Sequence, residues 1–465
     1  MQARSLSKDS KQPMSISKEL IQKYNIPAPR YTSYPTVPLW DNNLTGEVWE
    51  GLVQKAFTSF GTTEGISLYI HLPFCESLCT YCGFTKRITK NHSVEGAYIK
   101  AVLQEWKKYL DLFEEKPKLA GIHLGGGTPT FFSPESLFSL LNPIISGSEV
   151  LPSAEFSFEG HPNNTTFAYL ETLSKLGFDR VSYGIQDVDP TVQKAIHRIQ
   201  PVEKVAEATS NARKLGYTSI NYDLIYGLPH QTLETLKNTF EEVLKLSPDR
   251  IAFYSYAHLP SAFPAQKSFE SSLPNEQEKR ALYEFGKQIL INTGFEEVGM
   301  DHFAKPEDRL CESKRNKSLH RNFMGYTTSS FKMLIGLGAS RISDIYLGYA
   351  QNEKEITQYQ NEMADDNWSI RKGHLLTEED LMVKSVILDL ICTQRAIIPL
   401  EILERLMDQN LWNLKEMECD GLLKMSRNII KVTDKGIALV RNICIQFDLR
   451  LIQNKENSSR FSQAI

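Results

Sequence analysis

The chain has 465 residues, 41% of them hydrophobic and 23% charged, with a formal net charge of −4. This is a globular composition, too long for one ordinary domain, and it excludes a general basic surface for nucleic acid. No apolar run is long enough to cross a bilayer, and the polar start Met1-Gln-Ala-Arg-Ser5 lacks the apolar core of a secretory signal.

Residues 1–50 carry aromatic and proline-rich text, Pro29-Arg-Tyr-Thr-Ser-Tyr-Pro35, without clear periodicity; an arm packed on the core is expected. From about Ser67 to Leu259, short β-rich runs alternate with amphipathic helical stretches. The runs are Leu68–Leu72, Gly121–Leu124, Glu155–Glu159, Arg180–Gln186, Ile220–Tyr226 and Arg250–Tyr256. Helical patterns lie between them, one announced by Ser133-Pro134-Glu135, a capping serine followed by proline at the first helical position.

Six β–α units imply a parallel sheet, and an open doubly wound sheet and a barrel both fit the count. The unusual polar residues decide between them. Nearly all gather at the C-terminal ends of successive runs, the cysteine loop, Gly125-Gly-Gly-Thr-Pro129, Glu159, Gln186-Asp187 and Tyr256-Ala-His258, while Asp223 lies within the fifth run. That is barrel behaviour. The predicted fold is therefore α/β, a partial (β/α)6 TIM-like barrel over residues 51–368, with the N-terminal arm. Thr377-x-x-Asp380 makes a capping box before a long amphipathic pattern, so residues 369–465 are expected to form a small, mostly helical C-terminal domain.

Seven cysteines, three clustered and four scattered, are no disulfide framework, and a reducing cytoplasmic setting is expected. The cluster lies in His71-Leu-Pro-Phe-Cys-Glu-Ser-Leu-Cys-Thr-Tyr-Cys-Gly-Phe84. Cys75, Cys79 and Cys82 are one ligand short of a closed tetrahedral or four-cysteine site, and an open position is where chemistry happens. Zinc is the alternative, with His71 as a fourth ligand. However, no second cysteine pair accompanies the C-x3-C-x2-C spacing, and iron–sulfur chemistry is the better match.

This loop, after the first strand of the barrel, resembles that of the radical S-adenosylmethionine enzymes. The resemblance implies that the three thiolates hold three irons of a 4Fe–4S cluster, with S-adenosylmethionine on the fourth. Gly125-Gly-Gly-Thr-Pro129 is similar to the methionine-binding glycine motif of those enzymes.

Further segments strongly resemble the oxygen-independent coproporphyrinogen III oxidases: Pro29–Thr36, Gly184-Ile-Gln-Asp187, Asp223-Leu-Ile-Tyr-Gly-Leu-Pro229, Gly299-Met-Asp-His-Phe303 and His320–Thr328. The likeness extends from about Ile21 to Phe461-Ser-Gln-Ala-Ile465. It implies oxidative decarboxylation of two propionates of coproporphyrinogen III to vinyl groups, giving protoporphyrinogen IX in haem biosynthesis. It also implies two S-adenosylmethionine molecules, Tyr69, Gly126, Glu159 and Ile342 resembling positions around the cluster-bound one. Tyr81, Gly127, Thr128, Gln186, Arg198, Asp223 and Ala257 resemble positions around the second. A low-potential donor such as flavodoxin or ferredoxin, no nucleic-acid or membrane partner, and a monomer are the remaining expectations.

A substrate with four propionates needs local cations, and Arg30, Lys86 and Arg87 are candidates for carboxylate pairing. Tyr31 and Tyr34 either flank a tetrapyrrole or pack the arm onto the barrel. Three positions depart from the family pattern: Phe84 where a further cysteine is common, Gly160-His161 after Glu159, and Arg341 in place of a small residue. Phenylalanine at the first is more usual in haem chaperones, relatives that bind and transfer haem; that is the alternative function.

Overall fold

A computed structural model describes residues 17–328, 330–453 and 461. The start of the arm and most of the tail, including the final Ser462–Ile465 of the family likeness, lie outside the described residues.

One twelve-stranded sheet organises the molecule. Its strands are β1 (Ile66–Leu72), β2 (Lys118–Gly126), β3 (Glu149–Gly160), β4 (Arg180–Gln186), β5 (Ser219–Tyr226), β6 (Arg250–Ser255), β7 (Glu296–Gly299), β8 (His302–Ala304), β9 (Leu334–Leu337), β10 (Ile342–Asp344), β11 (Gly348–Asn352) and β12 (Ile370–Leu375). The first six lie side by side in chain order, every neighbouring pair parallel. With no reversal in that order there is no switch point, so the open doubly wound alternative is excluded and the partial barrel stands. The remaining strands extend it on both sides. β9 pairs parallel with β1, and β10 to β12 continue antiparallel beyond it. β8 and β7 continue antiparallel from β6. All seven residues of β1 are buried, as a strand covered on both faces requires.

The helices between these strands follow from local chemistry. α1 (Val94–Leu112) leads to β2, and α2 (Pro134–Ser146) begins where the sequence signals it, with Ser133 Oγ accepting from Ser136 N. α3 (Phe167–Lys175), α4 (Val202–Lys214) and α5 (Leu233–Lys245) complete the alternation, and α6 (Glu276–Asn292) precedes β7. Their apolar faces join the helix-facing residues on the outer side of the strands in one core. Among the described residues no helix is long and apolar enough to cross a membrane.

β12 pairs with β11 as the last strand of the main sheet. The Thr377 capping box then opens α7 (Glu378–Cys392), followed by short helices and a three-stranded sheet formed by Arg395–Ile397, Leu423–Ser426 and Ile429–Val432. The arm packs on this C-terminal unit: Tyr24, Tyr31 and Tyr34 share its core with Val383, Ile387 and Phe447. Tyr31 donates to Asp448 Oδ2 at 3.1 Å, and Tyr31 and Tyr34 are each 2% exposed. They are packing residues.

Buried Glu105 on α1 ties the far edge of the barrel to its centre. It accepts from Gly338 N (2.8 Å), Tyr359 Oη (2.7 Å) and Asn352 Nδ2 (2.6 Å). Burial pushes its carboxyl up to about 7. We predict that Glu105→Ala, which strands three buried donors, lowers unfolding stability by about 3 kcal/mol or more, read from the denaturant midpoint.

Candidate active site

The cysteine loop leaves β1 beside the glycine turn that leaves β2. In the register, His71 faces Gly125 and Leu72 faces Gly126. Backbone hydrogen bonds continue past the strand ends, from Gly127 N to Leu72 O (2.9 Å) and from Thr128 N to Phe74 O (3.0 Å). Thr128 Oγ1 thereby sits 3.3 Å from Cys75 Sγ. A Cβ at Gly127 would come within 2.6 Å of the Pro73 carbonyl carbon, and Gly126 adopts a φ of +121°, so glycine is required at both.

Glu159, at the end of β3, accepts from Gly126 N at 3.2 Å and lies 3.5 Å from His123 Nε2. Tyr69 lies next to Glu159, its ring covered by the Arg341 guanidinium 3.4 Å from the centroid. Arg341, a departure from the family pattern, therefore covers the Tyr69 ring. Ile342 packs with Trp40 and Tyr349. His71 spends Nε2 on Thr85 O at 3.1 Å, and burial beside Arg341 lowers its pKa to about 3; it anchors the loop as a neutral ring.

A second group forms around Cys79. Arg198 reaches Cys79 Sγ with Nη1 (3.5 Å) and Gly184 O with Nη2 (2.5 Å). Burial near Arg198 pushes His161 down to about 2, so it too is neutral. Gln186 holds a left-handed φ of +68° at the end of β4. Asp223 on β5 accepts from Asn221 Nδ2 (2.8 Å) and Ser182 Oγ (3.2 Å), and burial, then the Glu159 charge, raises its carboxyl to about 7. Tyr81 and Ala257 are joined by Gln266, whose Nε2 donates to both backbone carbonyls at 3.1 and 3.4 Å. A cavity of about 200 Å³ runs into the barrel below, lined by His123, Glu159, Ser182, Asp223 and Tyr254 among others.

The substrate candidates separate. Lys86 donates to Cys82 O (2.9 Å) and Phe84 O (3.3 Å), closing the cysteine loop. Arg87 is exposed beside it. Arg30 lies elsewhere, paired with Asp301 at 2.7 Å near Ala257. Phe84 is 72% exposed, so no packing depends on it.

These residues fit an iron–sulfur cluster with a polar organic ligand. All three cysteines are free and partly exposed in one loop, and a cluster takes each thiolate on a separate iron. Among the described residues Gln186 Oε1 and Arg198 Nε are buried without a partner, a cost of about 1–3 kcal/mol each that a ligand removes. His123, Ser182 and Asn221 were not singled out in the sequence; strand residues of those types carry no local signal, and only the fold brings them to the carboxylates.

A barrel of this order, with three thiols and a glycine turn at its C-terminal rim, defines a radical S-adenosylmethionine enzyme, and a model of the radical SAM superfamily matches residues 69–243. Its cofactors are a 4Fe–4S cluster and S-adenosylmethionine. The oxygen-independent coproporphyrinogen III oxidase of Escherichia coli is 36% identical over 455 residues, 96% of this chain and 98% of the relative. That of Synechocystis is 36% identical over 463 residues, covering 97% and 98%. The solved structure of the Escherichia coli enzyme, described as a radical SAM enzyme, superposes with a TM-score of 0.87 at 34% identity, covering 94% of this chain and 99% of that one. The chain belongs to the oxygen-independent coproporphyrinogen III oxidase family.

Two predictions follow from the geometry. Gly127→Ala drives the glycine turn off the cysteine loop and should weaken cluster retention about tenfold or more, measured as iron and acid-labile sulfide after chelator challenge. Asp223 keeps its proton in the folded state up to about pH 7, whereas an unfolded aspartate releases it near 3.8. The cofactor-free protein should therefore lose stability as pH rises between those values, and Asp223→Asn should flatten the slope in denaturant titrations.

Proposed function

We propose that this chain oxidatively decarboxylates two propionates of coproporphyrinogen III to vinyl groups without oxygen, yielding protoporphyrinogen IX. The observation that carries the reading is the cysteine loop locked to the glycine turn, in a chain that matches oxidases of this name almost end to end. When bound, the cluster and S-adenosylmethionine supply one-electron reduction and a 5′-deoxyadenosyl radical able to take a hydrogen atom from carbon.

The chain's own residues do the rest. Cys75, Cys79 and Cys82 hold three irons, and Thr128 and Arg198 offer hydrogen bonds to two of those sulfurs. Tyr69, Gly126, Glu159 and Ile342 receive one S-adenosylmethionine, the Glu159 carboxylate accepting from its amino group. Gln186, Arg198 and Asp223, with Tyr81, Gly127, Thr128 and Ala257, receive a second: Asp223 accepts from ribose hydroxyls and Arg198 pairs with a carboxylate. At each propionate the balance is loss of a β-hydrogen atom, carbon dioxide and one electron. The electron passes to an external acceptor, and a flavodoxin- or ferredoxin-type donor reduces the cluster.

The test is anaerobic turnover. Reconstituted protein given reductant, S-adenosylmethionine and coproporphyrinogen III should form protoporphyrinogen IX, and Cys79→Ala should abolish both cluster and product. S-adenosylmethionine cleavage without product, accompanied by stable haem binding, would replace the oxidase reading with the haem-chaperone one.

A further inference from the structure

A second cavity, of about 330 Å³, opens beside Ala257 at the C-terminal ends of β5 and β6, walled by α6, the arm and the C-terminal unit. Its charges are Arg30, Lys279, Arg280, Arg441, Glu297 and Asp301. Most of them are already matched. Arg30 pairs with Asp301 at 2.7 Å, Glu297 with Lys287 at 2.7 Å, and Arg280 with Glu284. Arg441 donates to the Pro29 carbonyl at 3.0 Å and to that of Ala28.

Lys279 is different. Its ammonium donates to Tyr256 O at 2.7 Å and, among the described residues, has no carboxylate within ion-pair distance. Burial, then the neighbouring Arg30 charge, lowers its pKa to about 8. The side chain is held in place. It lies across Gly227, which has a φ of +82° and where a Cβ would meet Lys279 Cε, Cδ and Cγ at 2.9–3.0 Å. Tyr226, Tyr256 and Tyr283 line the same cavity. A fixed, half-buried cation in a cavity that also presents tyrosine side chains suits a carboxylate attached to a planar ring.

We propose that this cavity is a carboxylate subsite for the tetrapyrrole, in which Lys279 pairs with a propionate that the reaction leaves intact. The inference rests on the oxidase reading above. Two of the substrate's four propionates survive, and a retained carboxylate is the one that can anchor the ring throughout both steps. The cavity is at the small end of ligand pockets, enough for one pyrrole edge and its side chain. The other carboxylate at hand, that of a second S-adenosylmethionine near Ala257, is the competing occupant.

Binding of coproporphyrin III, the unreactive oxidised ring, by full-length reconstituted protein separates these outcomes through tryptophan fluorescence quenching in a mild detergent. Lys279→Gln should weaken it about tenfold or more, Lys279→Arg should retain most of the affinity, and the tetramethyl ester should bind wild type and Lys279→Gln alike. The Michaelis constant for S-adenosylmethionine should not move. Equal coproporphyrin affinity in wild type and Lys279→Gln, an equal loss for the ester, or a loss confined to S-adenosylmethionine would each overturn the subsite. If coproporphyrin binding depends on Lys279 but wild type makes no protoporphyrinogen, the oxidase reading falls and the carboxylate subsite stands.

Discussion

The register between β1 and β2 is the constraint on which the site depends. It brings His71 opposite Gly125 and Leu72 opposite Gly126, and two backbone hydrogen bonds carry the pairing beyond the last strand residues. The cysteine loop and the glycine turn are thus two continuations of one ladder. Because β1 is buried on both faces, the first sulfur is launched from a strand packed on either side. A one-residue slip would put every β1 side chain on the opposite face and separate Thr128 from Cys75.

Electrostatics around the loop is arranged for a group that must displace protons. Burial raises the Cys75 thiol to about 11, lowered in part by its hydrogen bond with Thr128 and raised further by the other two cysteines. Three thiolates in one loop repel one another, and Arg198 near Cys79 and Lys86 over the Cys82 carbonyl bring positive charge to them. The two histidines nearby are kept neutral by burial, so they add no competing cation. Charge is balanced only when metal replaces the protons, which couples site assembly to cluster loading.

Much of the barrel was legible because its signals are local. Each of the six runs contains its own apolar pattern, and Ser133-Pro134 and Thr377-x-x-Asp380 mark helix starts by chemistry confined to one turn. The cysteines and glycines were legible for the same reason. What escaped depends on distant partners. Ile370–Leu375 is a strand because β11 lies beside it. Tyr31 and Tyr34 are core because C-terminal helices cover them. Lys279 sits in Glu276-Gln-Glu-Lys-Arg280, which reads as a solvated helix face, yet the fold turns its ammonium into a walled cavity. Arg30, a candidate cation for substrate, pairs with Asp301, a partner 271 positions away.

The arm's anchorage sets an order of events during synthesis. Its bonds to Asp448, to Arg441 and to Asn442 span 412–418 positions. β1 to β6, by contrast, each pair with the strand made just before or just after. The six parallel strands can therefore pair as they leave the ribosome, while Tyr24, Tyr31 and the carbonyls of Ala28 and Pro29 wait for their partners in the last helices.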